Sequence, residues 1–140
     1  MAGLKPGITG KAVVAVSDSN TAVAYGSGAV PVFATPAMIG LMEKAALSSV
    51  DPLLDSGMTT VGVRVDVRHL AATPVGMVVE AVSELVEIDG KKLKFRVEAR
   101  DRVELVGSGT HERYIITEQN FMARATSKKP GINTAGRKIR

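Results

Sequence analysis

The stretch FATPAMIGLMEKAAL, residues 33–47, predicts the central helix of the fold. Thr35 is a good N-cap residue and the proline after it suits the first helical position, so the helix should begin there. The proline at position 52 disfavours continuation, which places the helix end near Val50. Nearly all of its residues are apolar, and a helix that is apolar almost all round needs cover on most sides. We therefore expect a sheet to wrap around it.

Alternating apolar and polar residues predict one strand before this helix and four after it. In the first strand after the helix, Val61, Val63, Val65 and Val67 should face the core, and Gly62, Arg64, Asp66 and Arg68 the solvent. An Asp89-Gly90 pair marks a tight hairpin, and residues 18–33 should be irregular. The predicted strands are 11–17, 59–69, 77–88, 91–101 and 103–117, followed by a short helix at 118–125. This order predicts an α+β architecture, with one helix on one face of an antiparallel sheet.

The composition is typical of one globular domain, and the chain contains no cysteine that could take part in chemistry. The chain has 140 residues, of which 45% are hydrophobic and 23% charged, enough to bury a core. It contains no cysteine, which excludes disulfides and thiolate catalysis, and a cytoplasmic location is the default expectation. No apolar run has the length of a membrane helix and the first ten residues carry no apolar leader. We therefore expect no signal peptide and no membrane partner.

The basic character of the chain is concentrated at its C-terminal end. The formal net charge is +4, yet six of the 18 basic residues and none of the 14 acids follow Glu118. The chain has two Tyr, three Phe and no Trp, so few rings could stack on bases and we expect no nucleic-acid partner. We predict one domain over residues 1–124 and a basic tail over 125–140. That tail is a solvated terminus or, alternatively, a segment that contacts phosphate groups.

A single carboxylate on the apolar helix is the first candidate for chemistry. Ile39, Glu43, Leu47 and Val50 fall on one stripe, with Glu43 in its middle. A carboxylate among apolar neighbours is costly to bury unless it is paired, and desolvation makes it a stronger base. The alternative is a rotated stripe, which would let Glu43 reach solvent at the edge of the sheet.

Two polar residues near the ends of predicted elements are further candidates. His69 shares the parity of Val65 and Val67, so it extends their inward face to the end of the strand. It could act as a general acid or base, or it could be a core histidine bonded to a backbone carbonyl. Helix capping alone explains Thr35, but its hydroxyl also lies at a helix N-terminus, whose free N–H groups suit an oxyanion.

Three positions on the predicted strands complete the candidate set. Arg113 faces inward by parity, where it would form a salt bridge or bind an anionic substrate group. Gly62 lies on the face opposite the valines and could allow a ligand to approach the backbone closely. His111 shares the parity of Arg113. The sequence has no metal-ligand spacing and no glycine-rich phosphate loop of the usual patterns, so activation of a nucleophile or of water at a carbonyl is the natural reaction class.

Three segments of the chain resemble the hot-dog acyl-CoA thioesterases related to the fluoroacetyl-CoA thioesterase. They are VFATPAMIGLMEKAAL, RHLAATPVGM and VGSGTHERYII, in the same order and with matching gaps over residues 30–130. The resemblance implies the hot-dog fold, in which a curved antiparallel sheet wraps one long helix, and it implies a homodimer. The segment 17–33 is shorter than the lid segment of the fluoroacetate-specific enzyme and contains Tyr25 and Phe33 as its only aromatic residues. The resemblance therefore implies thioester hydrolysis without implying fluoroacetyl specificity.

The resemblance also implies roles for the candidate residues. In that family a threonine before the helix, a glutamate in its second turn and a histidine after the following strand form the catalytic set. The matching residues here are Thr35, Glu43 and His69. The family's glycine in the strand before the histidine matches Gly62, and the arginine of its HER string matches Arg113. Both are implied in substrate binding or positioning.

We therefore predict an acyl-CoA hydrolase that acts on small or medium acyl groups. Glu43 would act as base or nucleophile, His69 would transfer protons, and Thr35 would position the reacting groups, with backbone N–H groups holding the oxyanion. No metal and no cofactor is expected beyond the coenzyme A of the substrate. Two alternatives stay open. One is a hot-dog hydratase or dehydratase, and the other is a non-catalytic protein that binds acyl-CoA, or nucleic acid through the tail.

Overall fold

A computed structural model describes residues 3–130, and its elements follow the predicted order. A short helix, α1, lies in the segment that was predicted to be irregular. The Thr21 side chain accepts a hydrogen bond from the Ala24 N–H at its start, and Gly26 ends it in the left-handed conformation with a φ of 72°. The elements are β1 Thr9–Ala15, α1 Ala22–Tyr25, α2 Thr35–Val50, a 3₁₀ turn Asp51–Leu53, β2 Met58–His69, β3 Val78–Asp89, β4 Lys92–Arg100, β5 Leu105–Thr117 and α3 Glu118–Thr126.

The five strands form one antiparallel sheet in the order β1-β3-β4-β5-β2. This arrangement confirms the predicted α+β class. Strands β3, β4 and β5 form the central meander, and β1 and β2 lie at the two edges of the described sheet. Helix α3 spans the predicted boundary between residues 124 and 125, and residues 131–140 of the predicted tail lie outside the described residues.

Helix α2 packs mainly against β1 and β3. This position turns a different face inward from the one expected. Of the two alternatives for Glu43, the structure agrees with the rotated stripe, because Ile39, Glu43 and Leu47 are only half-buried. Glu43 and Leu47 line the flank of the helix that faces β2. Its fully buried face comprises Met38, Leu41, Met42, Ala45, Ala46 and Val50.

A β-bulge in β2 changes which of its residues face the helix. The register between β2 and β5 shifts between Gly62 and Arg64, so Val63 is an extra residue. Before the bulge, Gly62 is paired with the buried Arg113; after it, Val65 is paired with the buried His111. The uniform alternation predicted for this strand is therefore wrong. Gly62 lies on the same side as Val65 and His69, and not opposite to them.

The bulged edge strand exposes apolar side chains. Val63 is 54% exposed and Val65 is 39% exposed, although both lie on a strand that borders the core. An edge strand of this kind presents unpaired backbone groups and an apolar surface, which proteins normally cover or pair. None of the helices within residues 3–130 combines the length and the apolar character that a membrane-spanning helix needs.

Candidate active site

The hydroxyl of Thr35 is hydrogen-bonded to the imidazole of His69. The distance from Thr35 Oγ1 to His69 Nδ1 is 2.7 Å. The predicted N-cap role of Thr35 is wrong, because Ala34 is the N-cap residue and no side chain caps this end of α2. Since the Thr35 hydroxyl does not bond to the helix N-terminus, it is free to contact the ring. Two residues that are 34 positions apart in sequence thus form one polar pair.

The segments that carry this pair are tied together by backbone and side-chain hydrogen bonds. The Phe33 N–H donates to the Thr73 carbonyl at 2.8 Å, which joins the segment before α2 to the segment after β2. The Thr73 hydroxyl, which is fully buried, donates to the Asp101 carboxylate at 2.8 Å. The Asp101 carboxylate also accepts from two backbone N–H groups of its own loop. These bonds hold the segment that leads into Thr35 close to the segment that follows His69.

The environment of His69 favours its neutral form. Burial lowers the pKa of His69 below its ordinary value, and the backbone of Ala71 opposes this effect only in part. Its Nδ1 atom is used by Thr35, whereas its Nε2 atom is buried and has no hydrogen-bond partner in the described part of the chain. A neutral imidazole with one free nitrogen can exchange a proton with a bound reactant.

A cavity of about 410 Å³ adjoins Thr35 and His69. Its walls come from the segment that contains α1 and from the segment that follows β2. Most of the lining side chains are small or aliphatic, including Ala22, Gly28, Val30, Ala71 and Ala72. This lining is consistent with an apolar group lying beside the polar pair.

Glu43 belongs to a second polar group, on the flank of α2 that faces β2. A cavity of about 420 Å³ lies at this flank and is lined by Glu43, Gly62 and Arg113 among others. A Cβ atom placed on Gly62 would lie 2.7 Å from Glu43 Oε2 and 3.5 Å from Arg113 Nη1. The missing side chain of Gly62 therefore leaves the space in which the carboxylate and the guanidinium come close to each other.

The guanidinium of Arg113 is buried and held by hydrogen bonds to β2. Its Nε–H donates to Thr60 Oγ1 at 2.7 Å and an Nη2–H donates to the Thr60 carbonyl at 2.9 Å. An Nη1–H donates to His111 Nε2 at 3.1 Å. Burial lowers the pKa of Arg113, and the charges of Glu43 and Asp51 oppose this. Of the two alternatives for Arg113, a salt bridge does not form within the described residues. The guanidinium is instead held by Thr60 and His111, close to the Glu43 carboxylate.

Thr60 is a residue of this group that the sequence analysis missed. It is only 3% exposed and holds Arg113 through both its side chain and its backbone. His111 and Arg113 are two residues apart in the HER string, so they lie on one face of β5. Their contact could have been predicted from this spacing. The contact between Thr60 and Arg113 depends on the register of β2 against β5, and these two strands are distant in sequence.

Within one chain, the structure does not bring all the candidate residues together. Thr35 and His69 form one group, and Glu43, Gly62 and Arg113 form another. Thr35 and Glu43 are eight residues apart on α2, about 12 Å along the helix axis. The two cavities share no lining residue. Among residues 3–130 no cluster of His, Cys, Asp or Glu side chains could hold a metal ion.

A larger cavity, of about 560 Å³, lies against β1, β3 and β4 and away from both groups. Its lining includes the ion-paired side chains of Lys11, Glu84 and Arg96. None of the candidate catalytic residues reaches it, so size alone does not identify the reactive part of this molecule.

The chain is similar in structure to two solved thioesterases. The structure of the fluoroacetyl-CoA thioesterase FlK superposes with a TM-score of 0.86 at 36% identity, covering 91% of this chain and 99% of that one. A Thermus thermophilus protein described as a thioesterase superfamily member gives a TM-score of 0.83 at 28% identity, covering 91% of this chain and 94% of that one. The fold is therefore the hot-dog fold of thioesterases, as the sequence predicted.

Sequence comparison then gives the family. The family model for fluoroacetyl-CoA-specific thioesterases matches residues 16–119. The fluoroacetyl-CoA thioesterase of Streptantibioticus cattleyicolor is 43% identical over 99 residues, which cover 71% of each chain. The chain belongs to this thioesterase family.

Proposed function

We propose that this protein hydrolyses acyl-CoA thioesters with small or medium acyl groups, releasing a free acid and coenzyme A. The observation that carries the proposal is the 2.7 Å contact between Thr35 and His69 in a chain of this family. A hydroxyl at a helix start normally caps the helix, and here it contacts a partly buried imidazole with a free nitrogen. Such a pair suits proton transfer at a carbonyl.

Each polar residue of the candidate site has one role in the proposed reaction. Glu43 either removes a proton from a water that attacks the acyl carbonyl carbon, or attacks that carbon itself, in which case water then hydrolyses the mixed anhydride and frees the carboxylate. The C–S bond breaks, and the proton that the water gives up reaches the departing sulfur of coenzyme A through His69. Thr35 holds the imidazole ring in place, and backbone N–H groups near the start of α2 stabilise the negative charge on the carbonyl oxygen. Arg113 and Gly62 position the carboxylate.

Thiol release from a panel of acyl-CoA substrates tests this function. The panel should contain acetyl-, fluoroacetyl-, medium-chain and phenylacetyl-CoA, with free thiol measured colorimetrically. We expect release from at least one of them, and the small residues around Thr35 and His69 favour acyl groups larger than fluoroacetyl. Enoyl or hydroxyacyl products without free thiol would support a hydratase or dehydratase. Thermal stabilisation by the ligands without any turnover would support a binding protein.

We further propose a homodimer whose active sites combine residues of both copies. The β2 edge and the half-buried flank of α2 both lack cover in a single chain, over the residues described. Pairing of two β2 strands about a two-fold axis is antiparallel, so it puts the His69 end of one strand opposite the Gly62 end of the other. That arrangement would bring Thr35 and His69 of one copy towards Glu43 of the second.

Mixing two inactive variants tests the shared site. Glu43→Ala and His69→Ala should each be inactive alone. After unfolding and refolding together, mixed dimers would combine the intact Glu43 of one chain with the intact His69 of the other. A statistical mixture should then recover about a quarter of wild-type thiol release. If the three residues act within one chain, no mixed dimer has a complete site and activity stays at the level of the separate variants.

Gly62→Ala should lower kcat and leave the fold intact. The added methyl group would lie 2.7 Å from Glu43 Oε2, and that atom is the far end of a flexible side chain. The carboxylate would move by an ångström or so, which costs about 10- to 100-fold in rate when a reacting group is displaced. Thiol release and thermal unfolding should be measured on the same preparation. A variant with normal kcat, or one that loses activity only because it unfolds, would contradict the positioning role of Gly62.

A further inference from the structure

The buried His111 is not used in the proposed reaction. It is only 1% exposed and lies on β5, on the side of the sheet that faces α2. Its ring packs against Phe95 of β4, with ring centroids 6.3 Å apart and planes inclined by 30°. A histidine at such a position could simply fill space. Its hydrogen bonds indicate more than packing.

The two partners of His111 determine its tautomer. Nδ1 lies 2.8 Å from the Arg64 carbonyl oxygen, which can only accept, so Nδ1 must carry a hydrogen. Nε2 lies 3.1 Å from Arg113 Nη1, which can only donate, so Nε2 must be unprotonated. Both contacts are satisfied only by the neutral ring with its hydrogen on Nδ1.

The surroundings of His111 also favour the neutral ring. Burial lowers its pKa most strongly, and the hydrogen bond to the Arg64 carbonyl opposes this. The charge of Arg113 lowers the pKa further, while the carboxylates of Glu43 and Glu112 raise it. The net direction is downward, so the ring stays neutral near pH 7.

His111 links the bulge of β2 to the group around Glu43. On one side its ring donates to the carbonyl of Arg64, the residue that follows the extra residue of the bulge. On the other side it accepts from the guanidinium of Arg113. A Cβ atom on Gly62 would lie 3.1 Å from His111 Cε1, so the ring, the guanidinium and the Glu43 carboxylate all border the same space.

We propose that His111 is a positioning residue for thioester hydrolysis: as the neutral Nδ1–H tautomer, it holds the Arg113 guanidinium beside Glu43. This inference rests on the proposed function. The acceptor at Nε2 is the feature that matters for the reaction, because it fixes the direction of one Arg113 N–H group. The donor at Nδ1 anchors the ring to the backbone and contributes to stability.

Two substitutions separate these features. In His111→Gln the side-chain oxygen reaches the position of Nε2 and can still accept from Arg113. In His111→Asn the shorter amide can donate to the Arg64 carbonyl but does not reach Arg113. We expect kcat to fall by about 10- to 100-fold in His111→Asn, corresponding to one lost hydrogen bond to a charged group. His111→Gln should stay within about threefold of wild type at saturating substrate.

The experiment measures kcat and KM for both variants on the substrate that wild type hydrolyses fastest, with urea unfolding in parallel. Equal losses of kcat in the two variants, or losses that follow stability alone, would overturn the proposal. Ring ¹⁵N spectra of the full-length wild-type chain give a second readout that needs neither variant nor activity. The expected result is a protonated Nδ1 and an unprotonated Nε2 for His111, and the opposite tautomer would equally overturn it. Absence of thiol release by wild type would refute the proposed function, whereas the tautomer measurement addresses His111 alone.

Discussion

Glu43→Gln should lower kcat for thioester hydrolysis by about 10²- to 10⁴-fold, the range that a positioned acid or base contributes. Glutamine has the same shape as glutamate and fits the space beside Gly62, but it can neither remove a proton nor attack a carbonyl effectively. The side chain is only half-buried, so the fold should survive. Thiol release under saturating substrate, with circular dichroism as a check on folding, measures the effect.

The matched control is Glu87→Gln, the same chemical change at an exposed position of β3. We expect its kcat to equal that of wild type. The comparison separates loss of the Glu43 carboxylate from a general effect of removing one negative charge. A Glu43→Gln variant within about threefold of wild type would remove this residue from the mechanism, because a catalytic base cannot be replaced at so small a cost.

Gly109→Ala should produce the largest loss of stability among the glycine positions considered. A Cβ atom on Gly109 would overlap the Asp66 carbonyl oxygen and lie 2.6 Å from Val67 Cα. These atoms belong to the backbone of the paired strand β2, so relief requires the strands to separate. We expect the free energy of unfolding to fall by about 3 kcal/mol, the upper end for overpacked sites. Urea unfolding of the purified variant measures it.

Gly40→Ala is the natural control for this prediction. Gly40 lies inside α2 with no atom within 4 Å of its added Cβ, and alanine is the better helix former. The free energy of unfolding should rise by up to about 1 kcal/mol. Comparable stability for Gly109→Ala and Gly40→Ala would show that β2 and β5 are less closely packed than described.

Secondary structure was largely predictable because the long helix and the strands carry local patterns, whereas the short helix α1 lies in a segment that was predicted to be irregular. Helix α2 is apolar and ends beside a proline, and its predicted end at Val50 is confirmed. The sequence of β4 alternates regularly between apolar and polar residues, and its burial follows that alternation. The predicted start of α2 is off by one residue, because Ala34 and not Thr35 is the N-cap residue. Capping depends on where one side chain points, and His69 provides a competing partner for the Thr35 hydroxyl.

The bulge in β2 explains most of the errors at the site. A period-two pattern assumes that successive side chains always point to opposite faces of the sheet. The extra residue Val63 breaks this alternation, so residues before the bulge face the opposite way from the prediction. Gly62 was therefore assigned to the wrong face although it was identified as a candidate. The burial of Glu43 could not be predicted for a related reason. Helix α2 packs mainly against β1 and β3, and this packing determines which flank of the helix is buried.

Local periodicity and strings such as GSGTHER were enough to predict the fold class, the limits of the central helix and the family. They did not predict which polar residues meet. Thr35 contacts His69, Glu43 lies with Gly62 and Arg113, and these two groups are separate within one chain. Strand register, a bulge and helix placement produce this arrangement, and all three are set by contacts between residues that are distant in sequence. Periodicity along the chain carries no information about those contacts.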